Sequence, residues 1–518
     1  MRISGGPITE PFDLGEILAP GLANDPDADA LVSLTARWTW AQTERASNRL
    51  AASYRGLGLE PGDRLASLLP NRALLFIHYL ACMKAGLVMV PLNYRYQASS
   101  IDHSLERSGA RALVAHSERL AELAPSPVVA ALPCGTITLE HETPDPRPRL
   151  EDLMATGDGA HHPVHRDPDD AAAIFFTSGS TGVPKGVTHS YRSLGAAFRT
   201  VAIAFELTPE DRLLPGSSCS HIGGFLFGFS ALATGATVIV ARRYTADEVL
   251  ALMRAERPTV LCMIPAALFS VVRDPHAQAD DFSSLRLCRA GADKVPMELE
   301  REFVAITGHE IDEGYGCSEA GLITLNPPSG LIIPGSVGRI LPGFDAAIRD
   351  DAGNEVHFGV DGNLWVRSPT LMHGYWQDAE ATNSALKDGW LDTGDRMTAN
   401  DEGYLWFRGR KKQIIVHDGS NIFPQEVEDA LLDHPAVASA GVIGIHDLVH
   451  GENVRAYVVL AEDADTVRVD ELIEHARGLV GYKAPEEIVF IDEMPLNPTG
   501  KVDRVTLKAM AEERHHPD

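Results

Sequence analysis

The segment Thr177-Ser178-Gly179-Ser180-Thr181-Gly182-Val183-Pro184-Lys185-Gly186-Val187 follows directly on an apolar run, Ala171 to Phe176. Such a run, ending abruptly in glycines and hydroxyls, reads as a buried strand that delivers a loop at its end. Gly179, Gly182 and Gly186 let the backbone approach an anion with no Cβ in the way. Thr177, Ser178, Ser180 and Thr181 add hydroxyl donors, and Lys185 adds a positive charge. A loop built this way suits a polyphosphate. The Walker pattern needs Gly-Lys after four intervening residues, whereas here Pro184 precedes Lys185, so a P-loop NTPase is excluded. A plain surface loop is the competing reading, and only other motifs can decide against it.

The rest of the chain alternates helix and strand. Trp40 to Arg55 carries helical spacing that Gly56-Leu57-Gly58 ends, Arg64 to Leu69 reads as a strand, Phe76 to Ala85 as a helix and Leu87 to Pro91 as a strand. Strand, helix, strand is the signature of a parallel sheet. Residues 141 to 170, rich in Pro, Asp and His, read as a loose connection. The alternation resumes with a strand at 171–176, a helix from about 190 to 204, a strand near 212–214 and a helix at 224–233. It continues with strands at 237–241, 259–263 and 285–290 and a helix at 246–255. After about residue 345, shorter strands and turns suggest a β-rich part, and Gln413 to the end reads as a small α/β unit.

A chain of 518 residues exceeds one hydrophobic core. Its net charge of -27 argues against nucleic acid or an anionic membrane as the main partner. Cys82, Cys134, Cys219, Cys262, Cys288 and Cys317 form no CxxC pair, which fits reduced thiols better than a disulfide framework or a zinc site. No apolar signal core opens the chain, and Ala73 to Leu92 is broken by His78, Lys84 and Gly86, so no membrane span is expected. A cytoplasmic protein is the expectation.

Further motifs follow in order: Tyr315-Gly316-Cys317-Ser318-Glu319-Ala320-Gly321, then Gly374-Tyr375-Trp376, then Gly389-Trp390-Leu391-Asp392-Thr393-Gly394-Asp395. After them come Gly403 through Arg410-Lys411-Lys412, Gly419 through Glu428, and Asn497-Pro498-Thr499-Gly500-Lys501. Together with the Thr177 loop, this ordered set resembles the adenylate-forming superfamily, and within it the acyl- and aryl-CoA synthetases. The resemblance spans essentially the whole chain.

It implies an α/β fold with a large N-terminal domain (1–409), built of αβ-layered subdomains and a β-rich subdomain. A hinge at 410–412, centred on Lys412, would lead to a small mobile α+β domain at 413–518. It also implies site roles. ATP or AMP would meet Thr177, Ser178, Gly179, Ser180, Thr181, Gly182 and Lys185, together with Gly291, Ala292, Gly314, Tyr315, Gly316 and Ser318. Tyr315 would stack on adenine, while Asp395 and Arg410 would take the ribose. Glu319, with Thr181, would hold Mg2+, a hard ion suited to oxygen ligands. Lys501, with Glu319 and Lys185, would be catalytic, its ammonium neutralising charge between carboxylate and α-phosphate. Gly419 would touch CoA. Ser318, where the family more often has Thr, keeps the hydroxyl, and Gln413 replaces a common Asp.

The acyl pocket is expected around His221, Ile222, Gly223, Phe225 and Gly291, with room at Gly223 and Gly224 and apolar wall at Ile222, Phe225 and Phe227. No Asp lies between Ser217 and Ser230, which weighs against an amino-acid substrate, whereas Asp293 is an unusual charge. The implied reaction joins a medium- or long-chain fatty or an aromatic acid to CoA through acyl-AMP, with ATP, Mg2+ and CoA as reactants and a homodimer compatible with the family. One alternative loads a carrier-protein phosphopantetheine or stops at acyl-AMP. A binding protein that merely keeps the fold is the third reading, and Lys185, Glu319, Asp395, Arg410 and Lys501 argue against it.

Overall fold

The computed structural model describes residues 1–141, 146–156, 159–177, 184–291, 295–417, 420–447, 451–461, 467–497 and 500–513. Contacts divide the chain into two compact units. One comprises residues 2–346 with 366–391, the other 347–365 with 392–518 and Met1.

In the larger unit, β1 (Arg64–Leu68), α1 (Ala73–Ala85) and β2 (Val88–Pro91) form the expected unit of parallel strands joined by a helix. Every residue of α1 except Leu74 is buried, because the helix is apolar all round. Its two polar residues are satisfied inside. Lys84 Nζ reaches Glu44, Ser47 and Asn48 at 2.7 to 2.8 Å, and His78 Nδ1 meets Tyr54 Oη at 2.6 Å. β1 and β2 sit in a seven-stranded sheet that also holds β3 (Ala171–Thr177) and β4 (Lys185–Ser190).

Next come α2 (Tyr191–Ala204), β5 (Arg212–Gly216), α3 (Ile222–Thr234), β6 (Val260–Met263), β7 (Leu287–Gly291), β8 (Asp312–Cys317) and β9 (Gly321–Leu325). In a second sheet, of nine strands, β5, β6, β7 and β8 run parallel side by side and β9 turns back antiparallel at β8. α1, α2 and α3 meet through rings: Phe76 and Phe229 are 5.4 Å apart, Phe198 and Phe229 5.7 Å, and Phe225 and Phe229 4.6 Å. Gly228 makes this possible, since a Cβ there would lie 2.5 Å from the Phe76 ring. β3 and β7 both end at positions expected to bind ligand, Thr177 and Gly291, consistent with ligand sites at the carboxyl ends of parallel strands.

One expectation is corrected. Residues 141–170 are not all loose connection, because Leu150–Thr156 is a helix whose Leu150 and Met154 are buried. Pro146 and Pro148 precede this helix rather than interrupt it, so the composition of the stretch hid its amphipathic turn.

β10 (Trp390–Ala399), of which residues 392–399 belong to the smaller unit, pairs antiparallel with β11 (Leu405–Arg410) from residue 395 onward. Beyond them lies a five-stranded sheet centred on Gly451–Leu460. Its strands alternate between two cores. Val442, Ala456 and Ile488 face the helices Pro424–Leu432 and Val469–Val480, while Ile443, Tyr457 and Val489 face Leu507 and Ala511 of Arg504–Glu513. Burial on both faces needs this strict period of two.

Candidate active site

β3 and β4 are the two arms of a hairpin in which Thr177 and Lys185 stand opposite each other. Ser178, Gly179, Ser180, Thr181 and Gly182, between them, lie outside the described residues. The antiparallel return strand was not apparent from sequence, where Lys185 and Gly186 belonged to the loop. Gly186 is small for a packing reason, since a Cβ would sit 2.8 Å from Ile174 Cγ2.

Lys185 Nζ lies 5.1 Å from the centre of the Tyr375 ring, a cation–π contact. Tyr375 Oη donates to Glu319 Oε1 at 2.8 Å. Burial, then the Glu319 charge, pushes the Tyr375 phenol up, so it stays a donor. Tyr375 is placed by the short strand Gly374–Tyr375, which pairs with β4, and by Trp376 N donating to Gly186 O at 2.7 Å. Cation, ring and carboxylate are thus held together by backbone pairing.

The second site segment is the β8–β9 hairpin. Ser318, Glu319 and Ala320 form its turn, and a Cβ on Gly316 would lie 2.2 Å from Gly321 O. Gly321 has φ of +76°, which a side chain would strain. Three bonds clamp the turn: Met372 N to Glu319 O at 2.7 Å, Thr370 Oγ1 to Ala320 O at 2.8 Å, and His189 Nε2 to Ser318 O at 2.7 Å. A carbonyl only accepts, so the His189 proton sits on Nε2. Burial, only partly opposed by that carbonyl, brings the His189 pKa down to about 4, and the ring is neutral. Tyr315 N donates to Thr324 Oγ1 at 3.2 Å. Gly291 and Gly314 are register partners, and a Cβ on Gly291 would meet Gly314 O at 2.6 Å. Ala292 and Asp293 lie outside the described residues.

His189 and Tyr375 escaped the sequence reading as site residues. A period-two signal was there, for Lys185, Val187 and His189 alternate along one strand, but only recognition of β4 as a strand makes it legible.

At the expected acid pocket, His221 immediately precedes α3 and its Nε2 accepts from Asn93 Nδ2 at 3.0 Å. Ile222 and Gly223 open the helix, and nothing lies nearer to a Cβ on Gly223 than the Phe227 ring, at 3.9 Å. Phe225, expected at the pocket wall, is placed in the aromatic core. It is fully buried among Tyr79, Phe175, Phe198 and Phe229. The helical period puts Gly223 and Phe227 on one face and turns Phe225 and Phe229 to another.

In the smaller unit, Asp395 and Arg410 are register partners on β10 and β11, with Arg410 Nε 3.1 Å from Asp395 Oδ1. Asp395 is 1 % exposed, and its backbone N donates to Thr393 Oγ1 at 3.2 Å. The backbone of Lys412 belongs to a short 3-10 turn, Lys411–Gln413, whereas its side chain and Gly419 lie outside the described residues. Lys501 is half-buried beside a turn in which Asn497 Oδ1 accepts from Lys501 N at 3.1 Å and Asn497 N donates to Lys501 O at 2.8 Å.

Residues 20–376 match the AMP-binding enzyme family, and residues 426–501 match the AMP-binding enzyme C-terminal domain. The chain belongs to the adenylate-forming acyl-CoA synthetase family. A fatty acid–[acyl-carrier-protein] ligase, ScoC of Streptomyces coeruleorubidus, is 31 % identical over 499 residues, 94 % of each chain. A feruloyl-CoA synthase of Amycolatopsis sp is 33 % identical over 473 residues, 90 % of this chain and 92 % of that one. Among solved structures, ATP-bound MatB from Rhodopseudomonas palustris superposes with a TM-score of 0.90 at 29 % identity, covering 97 % of this chain and 99 % of the other. Ligases of this AMP-forming acyl-CoA synthetase family use ATP and CoA. Among the described residues no helix is long and apolar enough to cross a membrane, and no three His, Cys, Asp or Glu side chains gather into a metal cage. A lone carboxylate such as Glu319 is nonetheless a donor that Mg2+ accepts alongside nucleotide phosphates and water.

Proposed function

We propose that this synthetase activates a fatty acid of medium or long chain, or an aromatic acid, and transfers it to CoA. In the first half-reaction the carboxylate oxygen attacks the α-phosphorus of ATP and pyrophosphate leaves, giving acyl-AMP. In the second, the CoA thiolate attacks the acyl carbon and AMP leaves. The alignment of Lys185, Tyr375 and Glu319 carries the reading, because it pairs a cation suited to phosphate with a carboxylate suited to Mg2+. Mg2+ would supply charge neutralisation on the phosphates, with Glu319 as its protein ligand. Tyr375 orients that carboxylate, and His189 holds the Ser318 turn in which the hydroxyl expected at the α-phosphate resides.

Asp395, with Arg410 beside it, would receive the ribose hydroxyls, and Tyr315 the adenine. Lys501 would serve adenylation and the Gly419 loop thioester formation, with Lys412 as the hinge between the two steps. Similarity to a carrier-protein ligase favours a second reading, in which a phosphopantetheine arm replaces free CoA.

The test is pyrophosphate release with Mg-ATP across fatty and aryl acids, with and without CoA. Sustained turnover only with CoA supports the first reading. A single stoichiometric burst that CoA cannot sustain, but a carrier protein can, supports the second.

A further inference from the structure

Arg289 is a cation where a strand of this sheet is otherwise apolar. It is 7 % exposed, on β7, with Cys262 and Asp312 as its register partners on the flanking strands. Its guanidinium carries five N–H donors in a fixed fork. Nη2 donates to Gly314 O at 3.1 Å, while Nε is buried without any acceptor. Among the described residues no carboxylate lies within ion-pairing distance. Asp312 is itself pushed up to about 7, by burial and then by the Glu310 charge, and so is a weak counter-charge. Burial pulls Arg289 down, yet an arginine stays charged at any physiological pH. A buried cation of this kind is costly unless something pairs with it.

The surroundings of the fork are kept free of side chains by glycine, so that the guanidinium itself fits. Gly291 and Gly314 flank it, and a Cβ on either would lie 2.6 Å from Nη2 or 3.5 Å from Nε. Its Cζ sits 5.2 Å from the centre of the Phe227 ring, on the helix face that also carries Gly223. The line from Gly223 past Phe227 to Arg289 therefore begins at a glycine of the expected acid pocket and ends at an unpaired Nε–H.

We propose that Arg289 closes the far end of the acid pocket and selects a carboxylic acid bearing a second oxygen acceptor remote from the reacting carboxyl. This inference rests on the acid-activating reading above. A remote carboxylate would pair with the fork through two N–H groups, and a remote hydroxyl oxygen would accept one. A plain alkyl or aryl end would leave the cation buried and unpaired, and the site would discriminate against it.

The experiment compares kcat/KM for pyrophosphate release with octanoate against octanedioate, and with cinnamate against 4-hydroxycinnamate, in the wild type, Arg289→Leu and Arg289→Lys. In the wild type the acceptor-bearing member of at least one pair is expected to win by about tenfold or more. Arg289→Leu should erase that preference, chiefly through KM, and Arg289→Lys should keep part of it for octanedioate. Equal or better use of both plain acids by the wild type, or a preference that Arg289→Leu leaves intact, overturns the inference. Should Arg289→Leu fail to fold, the wild-type ratios and Arg289→Lys still decide. Pyrophosphate release by plain acids alone would leave the ligase reading standing, whereas no release with any fatty or aryl acid would remove that reading and this inference together.

Discussion

Asp395 and Arg410 face each other directly across an antiparallel pair, with Nε 3.1 Å from Oδ1. The carboxylate is buried and the arginine is half in solvent, so the pair presents a buried acceptor beside a partly exposed cation. Asp395→Asn is expected to raise the KM for ATP by about tenfold or more, since one of the two buried carboxyl oxygen acceptors is replaced by a donor. Arg410→Lys, which keeps the charge but loses the fork, should do less. Pyrophosphate-release kinetics at varied ATP would check both, and an unchanged KM in Asp395→Asn would remove the residue from nucleotide binding.

Lys501 and the two half-reactions give a second expectation. Lys501→Ala should cripple acyl-AMP formation by about a hundredfold or more while sparing thioester formation from supplied acyl-AMP. Single-turnover measurement of each half-reaction separates the two. Equal loss in both would contradict an assignment of Lys501 to adenylation alone.

Tyr375→Phe keeps the ring against Lys185 and deletes only the bond to Glu319 Oε1. It should lower kcat by about tenfold and raise the Mg2+ concentration needed for half-maximal rate, because the carboxylate loses its orienting partner. A magnesium titration of the two enzymes reads this directly.

Gly316→Ala would place a Cβ 2.2 Å from the Gly321 carbonyl, a backbone atom that cannot step aside. The hairpin carrying Ser318 and Glu319 should distort, at a cost of about 2 kcal/mol or more. A thermal melt with loss of pyrophosphate release checks it.

Acid should weaken the fold through its buried imidazoles. His189 is depressed to about 4 and His78 to about 3, in both cases chiefly by burial. Their contribution is complete above the ordinary histidine value of 6.5 and is lost progressively as pH falls toward these folded values, because only the unfolded chain takes up protons in that window. Tm should therefore fall between pH 7 and pH 5, and His189→Gln should show a shallower fall than the wild type. An equal slope would mean that His189 is not protonated on unfolding.

The alternation of apolar strand and amphipathic helix was readable along most of the larger unit because each element carries its own period. The helix Leu150–Thr156 escaped because one buried face of two residues is too short to outweigh the Pro and Asp around it. β4 escaped because its first residues look like phosphate loop, and only pairing with Ala171–Thr177 makes them a strand. The packing of Phe225 against Phe175 and Phe229 was not legible, because apolar character does not say toward which neighbour a helix face turns.

The ordered motifs, with their glycines, hydroxyls and charges, determine by themselves the family, because that membership is written in residue type and order; the two half-reactions and the nucleotide-binding residues are what the membership implies. Only the tertiary structure sets Tyr375 between Lys185 and Glu319, hangs the Ser318 turn on His189, and leaves Arg289 buried with an unpaired Nε. These relations join residues distant in sequence through strand register and burial. Neither leaves a period or a motif along the chain, so neither exists until the sheets are assembled.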